Sequence, residues 1–316
     1  MHRFWKSLTL PLLEALKPHV VVEIGAENGF NTKPLWQFCT KHSSVLHVID
    51  PALSFNKEDI CGGKENQQFL LHKTLSLEAL PEIHNIDAAL IDGDHNWFTV
   101  YHELEILEEL SRKDERPFPL VLLHDVSWPY ARRDLYYNPE TIPREFRNEY
   151  AQKGIVPGKA ELSDTGLNYT LYNAVHEGTP RNGVLSAIED FLDKTNDVLH
   201  FYSISAYHGY GILVSESRLR SCPGLKERLS SLLPSETVGL LFTDLEKDRL
   251  EHINALIIAN HNLADAKAEI SKREKAFAAY REELYSVYTS HSWRYTSPLR
   301  WIGRCIRKLL KSIYKH

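Results

Sequence analysis

Long apolar runs are missing from this sequence. None reaches the ~18–20 residues that a membrane-spanning helix needs, which excludes an integral membrane helix. Cysteine is sparse: Cys39, Cys61, Cys222 and Cys305 are scattered, with no CxxC pair. That spacing excludes a zinc ribbon or a disulfide frame and reads as free thiols in a reducing cytoplasm. A secretory leader is missing too, because Glu14 interrupts the N-terminal apolar stretch and no small-residue cleavage site follows. An excess of positive charge is lacking, since the net charge is −5, so nucleic acid is not expected as a partner. Two local absences mark the C-terminal part. Apart from Gly239, glycine is absent from position 237 up to Gly303, and no acid occurs from His291 onward, where there are seven Lys or Arg.

What is present is ordinary globular composition: 316 residues, 43% hydrophobic and 25% charged, enough for at least one full core. Short β-rich runs at 20–25, 45–50, 68–74, 87–92, 119–125, 198–205 and 210–215 alternate with helical patterns. In 99-TVYHELEILEEL-110, for example, Val100, Leu104 and Leu107 share a face. This alternation predicts an α/β fold with a Rossmann-like, seven-stranded, mostly parallel sheet. Only 206-AYHG-209 separates the last two runs, too little for a crossover helix, so they should form an antiparallel hairpin at the sheet edge.

These runs define a first domain, 1–215, containing a long insertion at 126–197 that would form a lid or acceptor pocket. Its end, 184-VLSAIEDFL-192, is patterned as an amphipathic helix. A linker is expected at 216–236 and a long C-terminal helical extension at 237–290. There Leu256, Leu263, Ile270, Phe277 and Leu284 recur every seventh residue, one seam of a coiled coil. The second seam is polar after Ile253 (Asn260, Lys267, Glu274, Arg281), so self-association through 250–288 rests on one stripe. The tail, 291–316, sets Leu299, Ile302, Ile306, Leu309 and Ile313 against Arg300, Arg304, Lys308, Lys311 and Lys315. This is the pattern of a helix lying on a membrane surface through 298–315, or of a basic helix docked on its own protein.

Two apolar runs end abruptly in acid and imidazole: 90-LIDGDHNW-97 and 121-VLLHDVSW-128. In an open α/β sheet ligands bind beyond the carboxyl ends of the strands, where Asp92, Asp94, His95, His124 and Asp125 should cluster. Neighbouring carboxylates need a cation or a proton between them, and oxygen donors beside imidazole suit Mg²⁺ or Mn²⁺. Three readings stay open: a divalent-metal site, a metal-free cluster in which His95 or His124 deprotonates an acceptor hydroxyl, and plain capping of strand ends. In the insertion, Trp128, Tyr130, Tyr136 and Tyr137 accompany Arg132, Arg133 and Asp134. Aromatic platforms with cations suit a sugar or anionic glycan, with Arg132 or Arg133 as a clamp and Asp134 as their partner. A packed, rigid lid would use the same residues.

The glycine turn 21-VVEIGAENGFNT-32 spaces its glycines G-x-x-x-G, wider than a dinucleotide loop, and 45-VLHVID-50 ends in an acid. Together they resemble the class I S-adenosylmethionine-dependent methyltransferases, over residues 1–215. The resemblance implies that Glu23, Gly25 and Gly29 line the methionine part of S-adenosylmethionine, that Asp50 binds its ribose, and that Ser76 and Leu77 contact adenine, with Asp92 adjoining. IDGDH plus LHD further resembles the metal-dependent O-methyltransferases of the catechol and macrolide-sugar types, and a loosely defined bacterial methyltransferase group. That likeness makes Asp92, His124 and Asp125 the metal ligands, although the family's usual pair after the fifth strand is Asp-Asp, Asp-Asn or Glu-Asp. Without a metal, His95 or His124 is the expected base, oriented by Asp94, and the residue types of the insertion make Trp128, Tyr130, Arg132 and Arg133 the expected acceptor contacts. The stretch 290-SHSWRYTSPLR-300 resembles a tail of bacterial glycosyltransferases and methyltransferases of surface-polysaccharide assembly. The expectation is an O-methyltransferase acting on a sugar or glycan at the inner face of the cytoplasmic membrane. A hydroxylase-like metal enzyme and a non-catalytic scaffold of a polysaccharide complex are the alternatives.

Overall fold

The computed structural model describes residues 1–62 and 67–313, with side chains through 310; Lys315 lies outside the described residues. It divides into two units, Met1–Ile257 and Ile258–His316. In the first, β1 (Val20–Ile24), β2 (Val45–Ile49), β3 (Phe69–His72), β4 (Ala88–Ile91) and β5 (Leu120–His124) precede the insertion. The insertion carries β6 (Leu135–Tyr136), β7 (Tyr150–Gln152) and β8 (Tyr172–Ala174), and β9 (Leu199–Ile204) and β10 (Tyr210–Ser215) follow it. The main sheet has the order β3-β2-β1-β4-β5-β10-β9, and β10 runs antiparallel to both its neighbours. This is a Rossmann-like, mostly parallel seven-stranded sheet with an antiparallel terminal hairpin, as the seven β-rich runs predict.

The helices are α1 (Leu10–Leu16), α2 (Thr32–His42), α3 (Lys57–Cys61), α4 (Ser76–Ala79), α5 (Trp97–Lys113) and α6 (Val184–Leu192). They are followed by α7 (Glu216–Ser221), α8 (Pro223–Leu232), α9 (Glu236–Thr289), α10 (His291–Tyr295) and α11 (Ser297–Ile313). Successive strand side chains point to opposite faces, so an apolar run buried on both faces feeds two cores. Val21, Leu46, Ala88, Leu90 and Leu122 join α1, α2 and α8 in one core. Val22, Ile49, Ala89, Ile91 and Leu123 join α5 and α6 in the other.

One expectation needs correction. The stretch 216–236 is no open linker: α7 and α8 occupy most of it and bury Leu219, Leu225 and Leu229 in the first core. Ser215 caps α7 by accepting from the Arg218 N–H, and Pro223 opens α8, where its missing N–H costs nothing. The insertion at 126–197 has strands of its own. Its short strands form a three-stranded antiparallel sheet in the order β6-β8-β7.

Candidate active site

Strands β4 and β5 pair in parallel, with Ile91 opposite Leu123, so their carboxyl ends bring Asp92 and His124 side by side. His124 Nδ1 lies 3.0 Å from Asp92 Oδ1 and 2.8 Å from Asp125 Oδ2. His124 Nε2 lies 2.8 Å from the Tyr207 carbonyl oxygen. A carbonyl can only accept, so Nε2 carries a proton, and a second proton on Nδ1 makes the ring a cation shared by two carboxylates. Burial alone would lower the His124 pKa, but Asp125 and Asp92 push it up to about 10. Burial likewise opposes ionisation of Asp92, yet the His124 charge holds it down at about 2. Asp125, also buried, is held well below the usual carboxylate range by His124 and His95. It sits at φ +58°, a left-handed conformation uncommon for a residue with a side chain. The Met1 amino nitrogen, 2.6 Å from Asp92 Oδ2, adds another positive group.

His95 enters the same cluster. Its Nδ1 is 3.3 Å from Asp125 Oδ2, and its ring stacks parallel to Tyr130 at 5.8 Å, with Tyr137 at 5.9 Å. Its other ring nitrogen makes no hydrogen bond among the described residues. Asp94, expected to orient a histidine, instead accepts from Thr99 Oγ1 at the start of α5, and burial raises its pKa. The carboxylate on the His95 ring is Asp125.

The glycine turn abuts this cluster. Gly25 (φ +81°) approaches β4 so closely that a Cβ there would stand 2.2 Å from the Asp92 carbonyl oxygen. Gly29 (φ +74°) packs against Phe55 and Ile60. Asp50 points into the turn rather than away from it. Its Oδ2 accepts from the Ala26 and Glu27 N–H groups, both at 2.8 Å, and its Oδ1 accepts from Ala52 at 2.7 Å. Glu23 is buried and accepts from Asn31 Nδ2 at 2.8 Å through Oε1, while its Oε2 has no partner among the described residues. Burial pushes its pKa up to about 7. Ser76 is buried at the start of α4, and Leu77 beside it is half-buried.

The acceptor residues divide. Tyr130 flanks His95 and is held through its hydroxyl by Asn173 and Asn168, and Trp128 packs beside it. The two arginines do not reach the cluster. Arg132 forks onto Glu189 of α6 and lines an open cavity of about 440 Å³ with Arg181 and Asp190. Arg133 is fully buried and donates to the carbonyls of Ala174, Val175 and Ala160. It organises the insertion and is no clamp. Asp134 partners neither arginine; it accepts from the Trp97 and Gly183 N–H groups, from the Tyr136 hydroxyl and from Asn148 Nδ2.

Three groups escaped the sequence reading. Tyr207, in the β9–β10 turn, fixes His124 through its carbonyl. Glu246 of α9 accepts from the Tyr207 and His208 N–H groups at 2.9 and 2.7 Å, holding that turn. Neither had a signal in spacing. Glu103 did have one: it shares the apolar face of α5 with Val100 and Leu107, is fully buried, and burial pushes its pKa up to about 8.

One donor atom each from Asp92, His124 and Asp125 lies within 4.8 Å of the others. With His124 neutral, Nε2–H stays on the Tyr207 carbonyl and the Nδ1 lone pair faces both carboxylates, the arrangement that orients a metal-binding imidazole. The donor chemistry fits a divalent ion, which would replace the Nδ1 proton.

No protein-family model matches the chain, and no curated protein matches it. Among solved structures, a methyltransferase of Podospora anserina with bound S-adenosylhomocysteine is 11% identical at a TM-score of 0.39, covering 66% of this chain and 77% of that one. A candidate caffeoyl-CoA O-methyltransferase of Staphylococcus aureus is 13% identical at a TM-score of 0.38, covering 66% and 81%. The apo form of the S-adenosylmethionine-dependent methyltransferase SibL is 14% identical at 0.35, covering 67% and 55%. Likeness at this level concerns fold and decides nothing about chemistry.

Proposed function

We propose that this chain is an S-adenosylmethionine-dependent O-methyltransferase acting on a sugar or glycan hydroxyl in surface-polysaccharide synthesis. The observation that carries the reading is the direct contact between the glycine turn, at Gly25, and the acid–imidazole cluster, at Asp92. A cofactor on that turn would lie against groups able to hold and deprotonate an acceptor. The residues fit such a cofactor: the turn is pinned in one conformation by Asp50, and Glu23 Oε2 is a buried acceptor with no partner of its own among the described residues.

When bound, the cofactor supplies a methyl group on a sulfonium, already a good leaving group. The chain's task is to position the acceptor oxygen and remove its proton. His95 is the base this geometry favours. Its Nδ1 lies 3.3 Å from Asp125 Oδ2, and a proton held on that side would leave the Nε2 lone pair for the acceptor proton. His124 cannot serve while both its nitrogens donate. Tyr130 and Tyr137, flanking the His95 ring, offer the aromatic faces that suit a sugar. Asp92, Asp125 and His124 would hold Mg²⁺ or Mn²⁺, which lowers the pKa of a bound hydroxyl.

The same triad favours one second reading, a metal-dependent α/β enzyme without methyl transfer. Isothermal titration with S-adenosylmethionine and S-adenosylhomocysteine, with and without Mg²⁺, separates the two. Micromolar binding is expected in the wild type and not in Asp50→Ala, whose thermal melt reports whether only the turn was lost. No binding heat for either compound sinks the methyltransferase reading, and binding of Mg²⁺ alone then favours the second.

A further inference from the structure

We propose that α11 is an anchor that lies flat in an anionic lipid surface. Its apolar side chains are outside any core: Leu299, Ile302, Ile306, Leu309 and Leu310 are 47–69% exposed. At 100° per residue they share one face, and Arg304, Arg307 and Lys308 fall on the other. None of these three cations has a carboxylate partner among the described residues. No acid occurs from His291 to the end of the sequence.

Charge decides what covers this face. A second copy of α11 would cover the apolar side chains but leave the cations without a counter-charge. A membrane rich in anionic headgroups supplies apolar depth and opposite charge together, the two signals that stable surface binding needs. No helix of the described residues is long and apolar enough to cross a membrane, so the contact is interfacial. Trp301, 64% exposed, falls beside Lys308 on the cationic side of the helix.

The preceding residues hold α11 in place on α10. Ser290 Oγ accepts from the Trp293 N–H and caps α10. The Arg300 guanidinium lies 3.7 Å over the Trp293 ring and donates to the Trp293 carbonyl and to Thr296 Oγ. The serines, tryptophan, threonine and arginine of 290-SHSWRYTSPLR-300 thus build a joint that sets the direction of α11 from α10.

The test is flotation of the full chain with phosphatidylcholine vesicles, with and without phosphatidylglycerol. Flotation is expected only with the anionic lipid and should fall as salt rises. Joint replacement of Arg304, Arg307 and Lys308 by Glu should weaken binding by on the order of a hundredfold or more, at roughly fivefold per cation removed. Ile306→Asp should abolish it. The pair Ile302→Ala and Ile306→Ala, which keeps helix propensity, should weaken it without disturbing the thermal melt. The proposal is overturned if the wild type does not float, or if Ile306→Asp floats like the wild type. It is also overturned if the apolar substitutions dissolve an oligomer while no variant binds vesicles, because the occupant is then a second copy.

Discussion

Asp125 Oδ2 is shared by two imidazoles, His124 at 2.8 Å and His95 at 3.3 Å, and the two rings differ in what they can still do. His124 spends both nitrogens on fixed acceptors; His95 keeps one free. His95→Gln should therefore lower turnover by 10²-fold or more, the usual worth of a positioned base, while cofactor affinity stays within a factor of two or three. Equal losses in both would make His95 a positioning residue. For His124 the folded pKa of about 10 lies above the ~6.5 of an unfolded chain. Its contribution to stability is thus complete below pH ~6.5 and is lost as pH rises through about 10. Asp92 works in the opposite sense: its contribution is present above ~4 and is lost as pH falls through about 2. The melting temperature, in the absence of divalent metal, should decline from pH ~6.5 to 10, and His124→Gln should flatten that decline. An imidazole resonance of His124 that titrates near 6.5 would refute the shared cation. Composition at this scale was legible, direction was not. Asp50, at the tip of β2, looks the same in sequence whether it turns outward to a ribose or inward to the N–H groups of Ala26 and Glu27.

Among the elements, the seven main strands were readable because both faces of the sheet are covered and each strand is an apolar run ended by turn or polar residues. The strands of the insertion were not. They are two or three residues long, and buried polar groups tie the segment together more than an apolar alternation does. Arg133 and Asp134 resemble surface ligands in sequence, since neither charge nor spacing shows burial. The insertion should therefore depend on Asp134 far more than on Arg132. Asp134→Ala strands the Trp97 and Gly183 N–H groups and the Tyr136 hydroxyl, at a cost of roughly 3–5 kcal/mol for breaking a buried charged network. Arg132→Ala breaks an exposed pair and should cost about 1 kcal/mol or less. Urea denaturation of the two variants gives the comparison; similar midpoints would show that the polar hub is not what holds the insertion.

Across the whole molecule, stability and the exposed helical surface belong to different parts of the chain. Among the described residues the buried apolar side chains all lie at or before Leu250, although α9 continues to Thr289 and α11 to Ile313. On α9 the seam residues Leu256, Leu263, Ile270 and Phe277 are 52–66% exposed. A seam with one polar side buries too little to hold a strong coiled coil. Helical periodicity made this region legible from sequence, and the same periodicity concealed that 216–236 belongs to the core, because short helices of mixed pattern read as connection. Removal of 258–316 takes away no residue of either core. The truncated chain should keep its main thermal transition within ~2 °C and bind S-adenosylmethionine as the full chain does, while losing flotation with anionic vesicles. A drop of ~5 °C or more, about the effect of 1–2 kcal/mol in a unit of this size, would mean that the C-terminal helices support the catalytic unit.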